Sequence, residues 1–392
     1  MASRTRRPLT SSIVDRVRPS GIRKFFDVLA TMDQVISLGV GEPDFVTPEH
    51  IREAGAASIQ QGKTHYTSNY GIYALREKIA DDLEALYGIN YDPAEEILVT
   101  VGASEGIDIA LRAIIEHGDG VLLPEPGYVS YAACIVLAGG VIQSVPTYAA
   151  EGFTLTAKAV EQAITPQSRA IVLGFPNNPT GAVLDPDEAQ KIVDLAVEHD
   201  LLIVSDEIYH RLIYGTKHVC IPALRGARDR TVLINGFSKA YAMTGWRLGY
   251  TCGPAELVEA MMKIHQYTIM SAPTAAQWAG MEALDHGAAD VQAMHDEYDR
   301  RRKLVVKGLN DIGLTCPEPK GAFYAFPSIA VTGMSSDEFS LKLLEEERVA
   351  VIAGTAFGDH GEGHVRVCYA TAYEQIQEAL ERMGRFVERH QR

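Results

Sequence analysis

The chain has 392 residues, 46% of them hydrophobic and 22% charged, which fits a folded protein with a large core and excludes a disordered chain. Its 36 lysines and arginines stand against 51 acids, and a formal charge of −15 argues against a nucleic-acid backbone or an anionic membrane as partner, since both require a cationic face. Five cysteines, at 134, 220, 252, 316 and 368, lie far apart without a CxxC pair, so neither a disulfide framework nor a metal site is expected, and the compartment is read as reducing and cytoplasmic.

The first twenty residues run against the acidic balance, with Arg4, Arg6, Arg7, Arg16 and Arg18 opposed by Asp15 alone. They read as a basic arm lying on the acidic body. A transit peptide shares that composition, whereas a secretory signal needs an apolar segment that is missing. Residues 1–48 have little periodicity of their own and are expected to join the C-terminal part of the fold. Over 49–288, helical stretches alternate with short apolar runs at 97–101, 120–123, 141–145, 170–175, 201–205, 231–235 and 248–251. That alternation predicts an α/β domain whose helices cover both faces of a mostly parallel sheet. A helix over 72–87 places Leu75, Ile79, Leu83 and Leu86 on one stripe and stops at Gly88. Another over 186–199 has Asp185 as its cap, Pro186 at the first position and Glu188 to close a capping box. Over 289–392 a long charged helix, a strand at 321–326 and a final helix with Ile376, Leu380, Met383 and Phe386 on one face predict a second, smaller α+β domain.

Open α/β sheets bind ligands at the carboxyl ends of their strands, and most unusual polar residues fall there. The run at 97–101 leads into Gly102-Ala103-Ser104-Glu105-Gly106 and then a helix with Ile107, Ala110, Leu111, Ile114 and Ile115 inward. Such a turn aims free N–H groups at one point, which suits a phosphate. The same five residues match G-x-S-x-G, the nucleophile elbow of serine hydrolases, with Asp206 and His360 or His364 in the order a triad would need. Asn177 and Asn178 follow the run at 170–175 between two prolines, as ordinary turn residues or as a fixed amide donor. Asp206 ends the run at 201–205, where a buried carboxylate requires a cationic partner. Lys239 follows the run at 231–235 among small and apolar residues, where desolvation turns an amine into a nucleophile, and Arg247 stands eight residues on. Singly, each charge is more often a surface charge. Together they describe a pocket for a phosphorylated heteroaromatic aldehyde.

Taken in order, Gly39-Val40-Gly41-Glu42-Pro43-Asp44-Phe45, His65-Tyr66, Asn178-Pro179-Thr180-Gly181, Ser238-Lys239, Gly245-Trp246-Arg247 and Val365-Arg366-Val367 resemble the class I/II aminotransferases of pyridoxal-phosphate fold type I, in the aspartate and aromatic branch. The resemblance implies a dimeric enzyme that binds pyridoxal 5'-phosphate and moves an amino group between an L-amino acid and 2-oxoglutarate. It implies Lys239 as the residue that carries the cofactor and shuttles the substrate proton, and Asp206 as the acid beside the ring nitrogen. Tyr209 and Asn178 would bond the ring oxygen, and Tyr128 would stack on the ring. The phosphate would be met by Ala103, Ser104, Ser238 and Arg247, with Tyr66 of a partner subunit. Arg366 would clamp the α-carboxylate with Asn178 and Gly41, and Ile22, Arg23 and Lys24 would lie near the pocket mouth. Two positions depart from relatives: Gly236 stands where many carry a phosphate-binding Ser, and Ser104 where some aspartate-specific ones carry Lys. A lyase or decarboxylase on the same scaffold is the rival within the fold.

Overall fold

The computed structural model describes residues 9–19, 32 and 34–391. Arg4, Arg6 and Arg7 of the basic segment, and the expected mouth residues Ile22, Arg23 and Lys24, lie outside the described residues. In chain order the strands are β1 (Ile36–Ser37), β2 (Ile97–Thr100), β3 (Gly120–Glu125), β4 (Val141–Pro146), β5 (Ser168–Gly174), β6 (Leu202–Asp206), β7 (Thr231–Gly236), β8 (Gly249–Cys252), β9 (Tyr324–Ala325), β10 (Val349–Ala350), β11 (Ile352–Ala353) and β12 (Val365–Cys368).

The seven apolar runs become one seven-stranded sheet in the order β2-β8-β7-β6-β5-β3-β4, and β8 alone runs against the rest. Because successive strand residues point to opposite faces, Leu122, Ile171, Leu173 and Ile203 pack on the helices Pro186–Glu198 and Ala157–Ala163. Their neighbours Val121, Leu123, Val172 and Val204 pack on Gly102–Ile114, Val129–Leu137 and Ala255–Thr268. Both faces are covered, which is why these runs are continuously apolar. Strand β4 differs, since it forms an edge and leaves Val141 53% exposed.

The remaining strands make smaller sheets. β12 lies between β11 and β9, antiparallel to both, and the helices Ala288–Asp311 and Tyr373–His390 pack around them through Leu309, Ile376, Leu380, Met383 and Phe386. The stretch 321–326 is buried throughout, yet only Tyr324–Ala325 forms a strand. β1 pairs in parallel with β10, which ties the chain before residue 49 to its C-terminal part.

Two helix details depart from expectation. Leu75, Ile79 and Leu83 are buried, whereas Leu86 stays 43% exposed and Tyr87 turns inward in its place, its hydroxyl 2.7 Å from His210 Nδ1. Asp185 caps its helix by accepting from the N–H groups of Asp187 and Glu188. Glu188 does not close the box, because its carboxylate accepts from Ala157 N, the first residue of the next-door helix, and from Lys191.

Candidate active site

The parallel strands end on one edge of the sheet, and the chain leaves each of them carrying a polar group. A cavity of about 1840 Å³ lies there, lined by Gly41, Ala103, Ser104, Tyr128, Asn178, Asp206, Tyr209, Ser238, Lys239, Arg247 and Arg366 among others. Of the described residues that the resemblance assigns to the cofactor and the substrate carboxylate, Tyr66 alone is elsewhere. It is 80% exposed and lines a separate groove with His65 and Trp278.

Lys239 sits just past β7, partly open to the cavity but ringed by protein atoms, and its Nζ donates to the Gly41 carbonyl at 2.7 Å. Burial pulls its ammonium down from 10.5 to about 8, and the Arg366 charge adds to the effect. A fraction of the amine is therefore free base near neutral pH.

Asp206 ends β6 and is 5% exposed. Burial pushes its carboxyl up to about 6, against hydrogen bonds from the Tyr131 hydroxyl at 2.8 Å and Ile208 N at 3.2 Å that favour the ionised form. Among the described residues it forms no ion pair, so none of them supplies the cation expected beside it.

Arg366, on β12, is 2% exposed. Its Nη1 donates to Asn178 Oδ1 at 2.9 Å and its Nη2 to the Gly39 carbonyl at 2.5 Å, while Nε has no partner among the described residues. No carboxylate pairs with it among the described residues, so it is not half of a surface ion pair. The Tyr324 and Phe357 rings flank the guanidinium, 4.7 and 4.9 Å from centroid to Cζ. Asn178 thus spends its oxygen on Arg366 and keeps its amide N–H groups for another acceptor. The Tyr209 hydroxyl lies 2.7 Å from that of Tyr324, and burial holds the Tyr209 phenol well above its usual range.

At the far side, the helix Gly102–Ile114 begins directly after Val101, which leaves the N–H groups of Ala103 and Ser104 without intrahelical acceptors. Gly102 has φ +73°, a left-handed backbone that favours glycine, and Arg247 Nη2 lies 2.8 Å from where a Cβ would stand, so the cation closes over the turn. Gly236 is equally constrained, since a Cβ would meet Gly249 Cα at 2.9 Å, which leaves no room for the serine many relatives carry.

These groups fit a phosphorylated pyridine aldehyde: a desolvated amine, a carboxylate awaiting a cation, an anion-binding turn beside Arg247, and a buried guanidinium with an unpartnered Nε. They do not fit a serine hydrolase. Ser104 and Asp206 hydrogen-bond no histidine among the described residues, and His364 is stacked on Phe326 with its Nδ1 on the Glu362 carbonyl. Sequence reasoning missed Tyr131 and Tyr324, whose spacing is that of ordinary core aromatics. The one available hint was that Tyr131 lies three residues after Tyr128 and so on the same side of a helix.

The profile of the family "Aminotransferase class I and II" matches residues 33–383. The Bacillus subtilis protein YugH is 52% identical over 96% of this chain and 98% of its own length. An aspartate aminotransferase of Pyrococcus abyssi is 47% identical over 95% of this chain and 97% of its own. The crystal structure of an aromatic aminotransferase from Pyrococcus horikoshii superposes with a TM-score of 0.90 at 46% identity, covering 93% of this chain and 99% of that one. Fold, cavity and sequence agree: the chain belongs to the aminotransferases of class I and II, a family of pyridoxal-phosphate enzymes.

Proposed function

We propose that this chain is a cytoplasmic homodimeric aminotransferase that binds pyridoxal 5'-phosphate and exchanges an amino group between an L-amino acid, aspartate, aromatic or related, and 2-oxoglutarate in two half-reactions. The observation that carries the reading is the buried amine of Lys239 in one cavity with a cation-free carboxylate, Asp206, and a carboxylate-free guanidinium, Arg366. The division into an arm at 1–48, a large domain at 49–288 and a small one at 289–392 belongs to the same proposal, supported by the β1–β10 pairing.

When bound, the cofactor supplies an aldehyde and an electron-poor ring. Lys239 would carry it between turnovers; freed by substrate, its Nζ would take the proton from the substrate Cα and deliver it to the carbon that was the cofactor's aldehyde, a role suited to an amine whose pKa is about 8. Asp206, with Tyr131 and Ile208 N on its oxygens, holds the ring-nitrogen proton. Tyr209 and Asn178 would hydrogen-bond the ring oxygen, and Tyr128 would stack on the ring. Ala103, Ser104, Ser238 and Arg247 hold the phosphate, with the partner's Tyr66 completing the set, and each charge-assisted bond contributes about 1.5–3 kcal/mol. Arg366 takes the α-carboxylate beside Asn178 and Gly41.

The relatives' names span aspartate and aromatic amino acids, so the side-chain preference is a matter for a panel of amino donors with 2-oxoglutarate. Borohydride treatment of the purified protein loaded with cofactor is expected to fix it on the Lys239 peptide, detected by mass spectrometry. Glutamate is expected to form only when donor and keto acid are both present, which excludes a lyase or decarboxylase. Absence of the adduct, or Lys239→Ala transaminating at the parental rate, would overturn the reading.

A further inference from the structure

Glu105 follows Ser104 in the first turn of the helix Gly102–Ile114. Its Oε2 accepts from Val101 N at 2.5 Å. Val101 has no side-chain cap of its own, so this bond closes the turn that presents the N–H groups of Ala103 and Ser104. The other oxygen, Oε1, lies 2.6 Å from Nδ1 of His265, in the last turn of the helix Ala255–Thr268, 160 residues away in the chain. The pair is almost entirely enclosed, with side-chain exposures of 9% for Glu105 and 0% for His265. With Nδ1 donating to this carboxylate oxygen, His265 Nε2 is left buried with no partner among the described residues.

An acid in the first turn of a helix is favourable until a second anion arrives at the same end. A phosphate seated on the Ala103 and Ser104 N–H groups is such an anion. A bare Glu105 carboxylate beside it, nearly removed from water, would repel it through a medium that screens poorly. The imidazole donor draws that charge away from the turn.

We propose that Glu105 and His265 form a positioning pair for the cofactor phosphate. Glu105 fixes the turn, His265 offsets the charge this introduces, and together they set how tightly the phosphate is held and not how fast bound substrate turns over. The inference rests on the functional reading above, because it concerns the phosphate of the proposed cofactor. Neither residue is aimed at the substrate.

The test measures the dissociation constant of pyridoxal phosphate, by absorbance after ultrafiltration of the loaded protein, alongside kcat at saturating cofactor. His265→Leu strands the carboxylate and is expected to weaken cofactor binding about tenfold or more. His265→Asn, which retains a donor near the Nδ1 position, is expected to stay within about threefold of the parent, as a neutral hydrogen bond replaces an imidazole one. Glu105→Gln combined with His265→Leu is expected to recover most of the loss, since an amide still accepts from Val101 N without a charge. In all three, kcat at saturation is expected to remain within about twofold, because no group that touches substrate has changed. A double variant as weak as His265→Leu or weaker would overturn the pair, as would unchanged affinity in His265→Leu or a kcat that falls in step with affinity. If the parent protein itself forms no borohydride-stable adduct on Lys239, the functional reading fails and the pair falls with it; if it does and the variants behave alike, the pair alone is wrong.

Discussion

Asp206 carries the conflict between folding and chemistry most clearly. Burial raises its carboxyl from 3.8 to about 6, so without a cation beside it the ionised group opposes folding. The unfavourable contribution is absent below the unfolded value near 4, grows as pH rises toward 6 and is complete above it, where it amounts to at most about 3 kcal/mol. Asp206→Asn is therefore expected to raise the melting temperature of the cofactor-free protein at pH 7.5, with the gain vanishing at pH 4, while transamination is largely lost. Thermal denaturation at the two pH values checks this, and a variant less stable than the parent at pH 7.5 would refute it. Lys239, Asp206 and Asn178 were legible in the sequence because each is a polar residue at the end of an apolar run, whereas Arg366 came only from the family resemblance. Tyr131 was not, since a tyrosine on a helix is usually core, and its bond to Asp206 spans 75 residues.

Among elements, the end of β5 shows how a strand makes room for a helix. Gly174 is the register partner of Asp206 across β5 and β6, and a Cβ at 174 would lie 2.3 Å from the Tyr131 hydroxyl. Gly174→Ala is thus expected to push the Tyr131 ring off the carboxylate and reproduce Tyr131→Phe. Each should lower kcat about ten- to a hundredfold, the worth of one hydrogen bond to a charged group, and the two together should do little more than either alone. Additive losses in kcat would show that the glycine serves some other contact. The seven sheet strands were legible from continuous apolarity, because burial on both faces leaves that mark on the sequence. The stretch 321–326 was less so: all six residues are buried, but only two pair as a strand, since burial and ladder pairing are separate properties. Glu188 carried a capping-box spacing, yet a neighbouring helix offered its carboxylate a better-placed donor.

At the scale of the molecule, Tyr66 belongs to an exposed apolar surface. Its segment is tied to the end of the helix Ala255–Thr268, 201 residues on, by Asn69 Nδ2 donating to the Met270 carbonyl at 2.6 Å, and Tyr267 in the last turn of that helix is 87% exposed. Exposed aromatic residues are what the proposed dimer would cover. Sedimentation of the protein is expected to give twice the 42.7 kDa chain mass. Tyr66→Phe is expected to preserve that mass while weakening cofactor binding roughly tenfold, the loss of one hydrogen bond to a phosphate oxygen. A monomer with full activity would remove Tyr66 from the site. No helix among the described residues is long and apolar enough to cross a membrane.

The sequence by itself determined where the seven strands of the main sheet lie and which polar residues stand near their ends, because strand burial and turn chemistry are written in neighbouring positions. It also carried the ordered motifs that place the chain in its family. Only the tertiary structure decided how those residues are held. Arg366 meets Asn178 and the Gly39 carbonyl across 188 and 327 residues, and Glu105 meets His265 across 160. Such pairings depend on how helices and sheets stack in space, and no local pattern of apolar and polar residues specifies which distant donor will reach which acceptor.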